Sequence, residues 1–113
     1  MTTQVFTLTG ISAGAAQVGS GYHEFLRVPA FSVGLYRLAA GVTDPQQPHS
    51  EDEIYHVLRG HAALQVDARD VPVGPGSIVY VPARVPHRFH TITEAIEVLV
   101  VFAPAERTGG GAC

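Results

Sequence analysis

The chain has 113 residues, which suits a single folded domain, and 46% of them are hydrophobic. Seven arginines stand against ten acidic residues, giving a net charge of −3 without any basic cluster, so nucleic acid and anionic membranes are not expected partners. The sequence contains no lysine, which excludes Schiff-base catalysis and the lysine-dependent phosphate loop. No apolar run approaches the ~20 residues of a membrane span, so we expect a cytoplasmic protein whose partner is a small molecule.

Short apolar runs separated by turn-forming residues predict strands rather than helices along the whole chain. No 3.6-residue periodicity is sustained in any segment. In chain order, the predicted strands are residues 5–8, 22–28, 32–39, 53–58, 62–67, 77–81, 85–91 and 95–102. The last is the clearest, because Ile96, Val98, Val100 and Phe102 alternate with other residues and form one apolar face.

The segments between these strands are rich in Gly, Pro and Asp and predict turns at residues 41–48, 67–70, 74–76 and 82–86. Short antiparallel strands must protect their edges, which favours a barrel or jelly roll. An immunoglobulin-like sandwich has the same periodicity, although the chain lacks Trp and a pair of cysteines. We predict one all-β domain over residues 1–103, followed by a flexible tail over residues 104–113 that ends at the lone Cys113.

Side chains that could bind a metal concentrate in two places. In residues 47–53 the odd positions Gln47, His49, Glu51 and Glu53 would face the same way in an extended chain. The second place is His87, which follows the turn at 82–86 and begins a predicted strand. If the two strands are neighbours, all these side chains could meet in one interior.

These two segments resemble the two sequence motifs of the cupin family, written G-x5-H-x-H-x3–4-E-x6-G and G-x5-P-x-G-x2-H-x3-N. The matching residues are Gly41, His49, Glu53 and Gly60 in the first motif, and Gly76, Pro82 and His87 in the second. The two motifs together cover about half of the chain. The resemblance implies a cupin-type β-barrel, also called a double-stranded β-helix or jelly roll.

The resemblance also implies one divalent metal ion, either Fe, Mn, Ni, Zn or Cu, held by His49, Glu53 and His87. Gln47 stands where the first motif has its first histidine, and it is either a weak or water-mediated ligand or a loop amide. Arg84 replaces the glycine of the second motif and Thr91 its final asparagine, which affects the expected turn and pocket shape more than the metal.

Two functions are compatible with this metal site. The first is a metal-dependent enzyme that acts on a small oxygen-bearing metabolite, either an oxidoreductase of the dioxygenase kind or an isomerase. Tyr55, which shares the inward parity of Glu53, is then the leading candidate for proton handling, with Glu51 second. The alternative is a non-catalytic sensor or storage module that binds a metabolite or metal. A homodimer is expected, because apolar edge strands need cover and small cupins look similar in commonly forming one.

Overall fold

The computed structural model describes residues 2–18, 21–45 and 48–107. Within these residues it contains one helix and six strands, which define the elements named below. They are α1 (Leu8–Val18), β1 (Gly21–Val28), β2 (Phe31–Leu38), β3 (Asp52–Val66), β4 (Arg69–Val73), β5 (Ile78–Val81) and β6 (His87–Ala103). The predicted all-β architecture is confirmed, with α1 as an addition to it.

The N-terminal segment differs from its prediction, since the strand expected at residues 5–8 is wrong and helix α1 begins there instead. Thr7 caps the helix: its hydroxyl accepts a hydrogen bond from the backbone N–H of Gly10 at 3.1 Å, and its carbonyl accepts one from Ile11 at 3.0 Å. Helix α1 packs against β1 and β2, and its Ala15 is buried. The small Ala and Gly residues of α1 give little contrast between an apolar and a polar face, so a 3.6-residue periodicity is not detectable in the sequence.

The strands form one antiparallel sheet in the order β1-β2-β6-β3-β4, with β5 also paired to β3. Two pairs of predicted strands are single long strands: 53–58 with 62–67 in β3, and 85–91 with 95–102 in β6. Gly60 bends β3 with a φ of +86°, and the register between β3 and β6 shifts on both sides of it. Strand β4 was not predicted and begins inside the expected turn at 67–70.

The interior is apolar along the two long strands. The predicted inward face of β6 is confirmed, because Ile96, Val98, Val100 and Phe102 are all buried. Further buried core residues are Tyr36, Leu38, Tyr55, Val57, Ala62, Leu64, Val73, Val81, Phe89 and Ile92. The polar side chains of the site lie beside this apolar core.

The segment after β6 packs against the barrel. Ala105 and Glu106 are buried, and the backbone N–H of Glu106 donates to the Ser32 hydroxyl of β2 at 2.9 Å. Within the segment predicted as a tail, the N–H groups of Ala105 and Arg107 also donate hydrogen bonds, to the Pro29 carbonyl and to Glu51. The predicted domain bounds stay a prediction. Residues 108–113, which include Cys113, lie outside the described residues.

Within the described ranges, no helix has the length and hydrophobicity needed to cross a bilayer. The expected cytoplasmic location and homodimer stay predictions. Ile54 on β3 and Ile78 and Tyr80 on β5 are exposed apolar side chains on neighbouring strands.

Candidate metal centre

The segment that carries His49 and Glu53 alternates strictly between buried and exposed residues. His49, Glu51, Glu53 and Tyr55 are buried, whereas the residues between them, at positions 50, 52 and 54, are exposed. The prediction that alternate residues of this segment face the interior is therefore confirmed for residues 49–55. The extended chain directs two carboxylates, one imidazole and one phenol away from solvent.

The turn at residues 82–86 brings His87 to the same place. Arg84, at the position of the motif glycine, adopts the left-handed conformation with a φ of +66°, and its N–H donates to the His49 carbonyl at 2.6 Å. The Asp52 carboxylate accepts a hydrogen bond from the N–H of Ala83 at 2.9 Å. Arg84 thus preserves the left-handed backbone of the motif glycine, at a cost of about 1–2 kcal/mol in conformational energy. The hydrogen bonds to His49 and Asp52 hold the turn beside the start of β3.

The structure brings His49, Glu53 and His87 together, as predicted. One ligand atom from each of the three lies within 4.8 Å of the others, and the two imidazole rings are 5.9 Å apart. Their exposed fractions are only 4%, 1% and 6%. A cluster of two imidazoles and one carboxylate, withdrawn from water, has the donor set that borderline divalent cations prefer.

The hydrogen bond made by Nδ1 of His87 indicates that the other ring nitrogen, Nε2, is available to bind a cation. Its Nδ1 lies 2.8 Å from the Val85 carbonyl, which can only accept, so Nδ1 carries a proton. In a neutral ring, Nε2 then presents a lone pair to Oε1 of Glu53, 3.1 Å away. Two buried lone pairs at this distance repel unless a proton or a metal ion lies between them.

In the absence of metal, a proton on Nε2 of His87 plays that part at pH values below the pKa of the ring. Burial of the ring lowers its pKa, but the hydrogen bond and charge of Glu53, assisted by the Val85 carbonyl and the charge of Asp44, raise the His87 pKa above 6.5 overall. The folded metal-free protein thus holds this proton more tightly than the unfolded chain does. The associated stabilisation is complete below pH 6.5 and is lost as the pH rises through the raised pKa.

We expect metal affinity to fall as the pH drops, with the decrease beginning above the ordinary imidazole pKa of 6.5, because the metal must displace the His87 proton. Titration of metal-free protein with Zn²⁺ or Mn²⁺ between pH ~5 and ~8 measures this. His90→Ala, which removes a histidine outside the cluster, should leave the profile unchanged. An affinity that is the same across this range would contradict ligation by His87.

The two candidates for proton handling are both buried, and Tyr55 lies beside the cluster. The Tyr55 ring lies 5.9 Å from the His87 ring and 5.1 Å from that of Phe89. Oε2 of Glu51 accepts hydrogen bonds from the Ser50 hydroxyl at 2.5 Å and from the N–H of Arg107 at 3.2 Å. Their catalytic roles stay predictions, and Gln47 lies outside the described residues.

Sequence reasoning missed two buried acids near the cluster. Oε2 of Glu106 lies 3.3 Å from Nδ1 of His49, and both side chains are buried. Asp44 accepts hydrogen bonds from the Tyr36 hydroxyl and from the N–H of Phe89, the latter at 2.8 Å. Neither position carried a signal, because Asp44 lies in a predicted turn and Glu106 in the predicted tail.

Three further histidines, His56, His61 and His90, lie outside the cluster. His61 pairs with Glu94 at 2.8 Å and His90 pairs with Asp70 at 2.6 Å, and both pairs reach solvent. His56 is half-buried on the opposite face of β3 from Glu53. These residues supply control positions for experiments on the cluster.

An antiparallel β-barrel with a buried His–Glu–His cluster defines the class of protein. The family model of the cupin domain matches residues 34–102, which is more than half of the chain. The protein therefore belongs to the cupin family, and the predicted resemblance is confirmed.

Individual relatives agree with this assignment. An uncharacterised protein of Streptomyces coelicolor is 48% identical over 103 residues, which cover 91% of this chain and 98% of the relative. The crystal structure of TT1209 from Thermus thermophilus is similar with a TM-score of 0.74 at 20% identity, covering 91% of this chain and 99% of that one. The DMSP lyase DddQ from Ruegeria pomeroyi has a TM-score of 0.67 at 22% identity. That match covers 88% of this chain, which spans only about half (54%) of the lyase. At these identities the two structures show the fold alone.

Proposed function

We propose that this cupin holds one divalent metal ion through His49, Glu53 and His87 and binds a small oxygen-bearing metabolite beside it. The observation that carries the proposal is the close approach of His87 Nε2 and Glu53 Oε1, 3.1 Å apart, with a ring nitrogen of His49 within 4.8 Å of such ligand atoms. A buried cluster of this kind is stable only when a proton or a metal ion lies between its lone pairs, and we propose that the metal ion takes this place.

The donor set narrows the choice of metal to the borderline first-row ions. Two imidazoles and one carboxylate suit non-haem Fe(II), and the same set accepts Mn, Ni, Zn or Cu. With three protein ligands, positions stay open for water or substrate, and a bound ion would polarise an oxygen placed there. The chain itself supplies the neutral ring nitrogens, the carboxylate charge and the exclusion of bulk water.

A surface depression beside His87 supports a small ligand. It has a volume of about 190 Å³ and is lined by Pro48, Gln65, Asp67, Pro86, His87 and Arg88. Pockets for drug-sized ligands usually have about 300–1,000 Å³, so this space suits a molecule of few heavy atoms. The polar groups of the lining are the Arg88 guanidinium and the Gln65 amide, which hydrogen-bond to each other at 3.3 Å, and the Asp67 carboxylate.

We favour an enzyme, either a dioxygenase or an isomerase, over a binding module. Tyr55 could hold or move a proton at its hydroxyl, and Glu51 could do so at Oε1, which is buried without a hydrogen-bond partner among the described residues. A DMSP lyase has a similar fold, which supports the proposal that a barrel of this kind is compatible with catalysis. Gln47, in place of a motif histidine, favours the alternative of a non-catalytic sensor or storage module.

Turnover separates these two functions. Protein loaded with Fe(II), Mn(II) or Ni(II) is offered mixed metabolite pools with and without oxygen, and consumption is followed by mass spectrometry. We expect metal-dependent consumption, slowed by Tyr55→Phe without loss of metal, because general acid–base help contributes typically about 10²–10⁴-fold. The matched control is Tyr80→Phe, which alters an exposed tyrosine. Saturable binding without consumption under any metal would establish the binding module instead.

A further inference from the structure

Besides its partners in the cluster, His49 has a buried carboxylate next to its Nδ1. Nδ1 of His49 lies 3.3 Å from Oε2 of Glu106, and the exposed fractions of the two side chains are 4% and 1%. A buried carboxylate oxygen accepts hydrogen bonds and repels a ring nitrogen that presents a lone pair. This contact therefore favours the tautomer of His49 with its proton on Nδ1.

We propose that Glu106 is a positioning residue that holds His49 in the Nδ1–H tautomer and aims its Nε2 at Glu53 and His87. The inference rests on the proposed metal site and deepens it, because it assigns the carboxylate that orients one ligand. A histidine ligand usually donates its second N–H to a carboxylate or carbonyl, which fixes the ring and increases its basicity. His87 has the equivalent partner in the Val85 carbonyl, 2.8 Å from its Nδ1.

The backbone of Glu106 is fixed well enough for this role. Its N–H donates to the Ser32 hydroxyl at 2.9 Å, and its carbonyl accepts a hydrogen bond from the Arg27 guanidinium. Next along the chain, the N–H of Arg107 donates to Glu51. The segment that contains Glu106 is therefore hydrogen-bonded to β1, to β2 and to Glu51.

Glu106 lies outside the stretch that carries the cupin match, which ends at residue 102. The Phe102 ring, at the end of that stretch, packs against the His49 ring with centroids 4.9 Å apart. Phe102 limits where the ring can go, and Glu106 decides which nitrogen faces inward. A residue contributed by the C-terminal segment thus completes a site whose ligands come from the two motifs.

The test reads the tautomer directly in the metal-free protein. Long-range ¹H–¹⁵N NMR at a pH where His49 is neutral should show the proton on Nδ1 in the parent and a mixture or the Nε2–H form in Glu106→Ala. Metal affinity, measured by titration with Zn²⁺, should weaken about 10- to 100-fold in Glu106→Ala. Glu106→Gln keeps an acceptor oxygen and should retain the Nδ1–H tautomer with a smaller loss of affinity.

Glu94→Ala is the matched control, because it removes the carboxylate partner of His61 on the surface and should change neither reading. An unchanged His49 tautomer and unchanged Zn²⁺ affinity in Glu106→Ala would overturn the positioning role. If Glu106→Ala does not fold, the parent and Glu106→Gln decide: an Nε2–H tautomer of His49 in the parent, or in the Gln variant that keeps the acceptor oxygen, would overturn it. A parent that shows the Nδ1–H tautomer but binds no metal contradicts the proposed function and leaves the assignment of Glu106 to His49 intact.

Discussion

Purified His87→Ala and Glu53→Ala variants should contain no bound metal under conditions in which the parent retains one ion per chain. Each substitution removes one of three strong donors from the cluster, and the expected loss of affinity exceeds the ~10- to 100-fold typical of outer-shell changes. The Glu53 variant also removes the negative charge that balances a divalent cation in this buried position. Elemental analysis after gel filtration measures the metal content of each variant.

His56→Ala and His90→Ala are the controls for these variants. They remove imidazoles from the same two long strands, outside the cluster, and should keep the metal content of the parent. Circular dichroism shows whether each variant is folded. Full metal content in the Glu53 and His87 variants, with loss in either control, would show that the ligand assignment is wrong.

Gly60→Ala should destabilise the barrel strongly while leaving all ligands in place. Gly60 has a φ of +86°, and an added Cβ would overlap the carbonyl oxygen of Ala95 and lie 2.7 Å from its carbonyl carbon. The left-handed conformation costs about 1–2 kcal/mol for a residue with a Cβ, and the overlap with backbone adds about 1–3 kcal/mol. We expect a loss of about 2–5 kcal/mol in the free energy of unfolding, measured by urea denaturation.

Gly41→Ala isolates the steric part of this effect. Gly41 has a similar φ of +80°, but an added Cβ would meet nothing within 4 Å. It should therefore lose only the ~1–2 kcal/mol of the backbone conformation. Equal losses in the two variants would mean that β6 moves freely away from the bend in β3, contrary to the close packing of β3 on β6.

The strands were predictable where one face is buried, because burial imposes alternation. β6 shows this best, since Ile96, Val98, Val100 and Phe102 are all interior. The break at Gly60 was not predictable as a bend within one strand, because a glycine between two apolar runs is equally typical of a turn. Helix α1 was missed because its small residues carry little hydrophobic contrast, and the signal at its start is the single hydroxyl of Thr7.

The candidate site also has a part that was predictable from the sequence and a part that was not. His49, Glu53 and His87 were predictable from local spacing and from the resemblance that this spacing carries. The positions of Glu106 and Asp44 depend on how distant segments pack, and nothing in the residues around them indicates burial. Arg84 shows a third case, because its left-handed φ of +66° preserves the turn of a motif whose glycine it replaces.

Anomalous X-ray diffraction from a crystal grown with Zn²⁺ or Mn²⁺ tests the metal site most directly. A single strong anomalous peak should lie between the three side chains, bonded to Nε2 of His49, Nε2 of His87 and a carboxylate oxygen of Glu53. For Zn²⁺ the expected bond lengths are about 2.0–2.2 Å. A barrel whose cluster stays without a peak at saturating metal, or whose peak lies instead at the His61–Glu94 or His90–Asp70 pair, would contradict the metal centre.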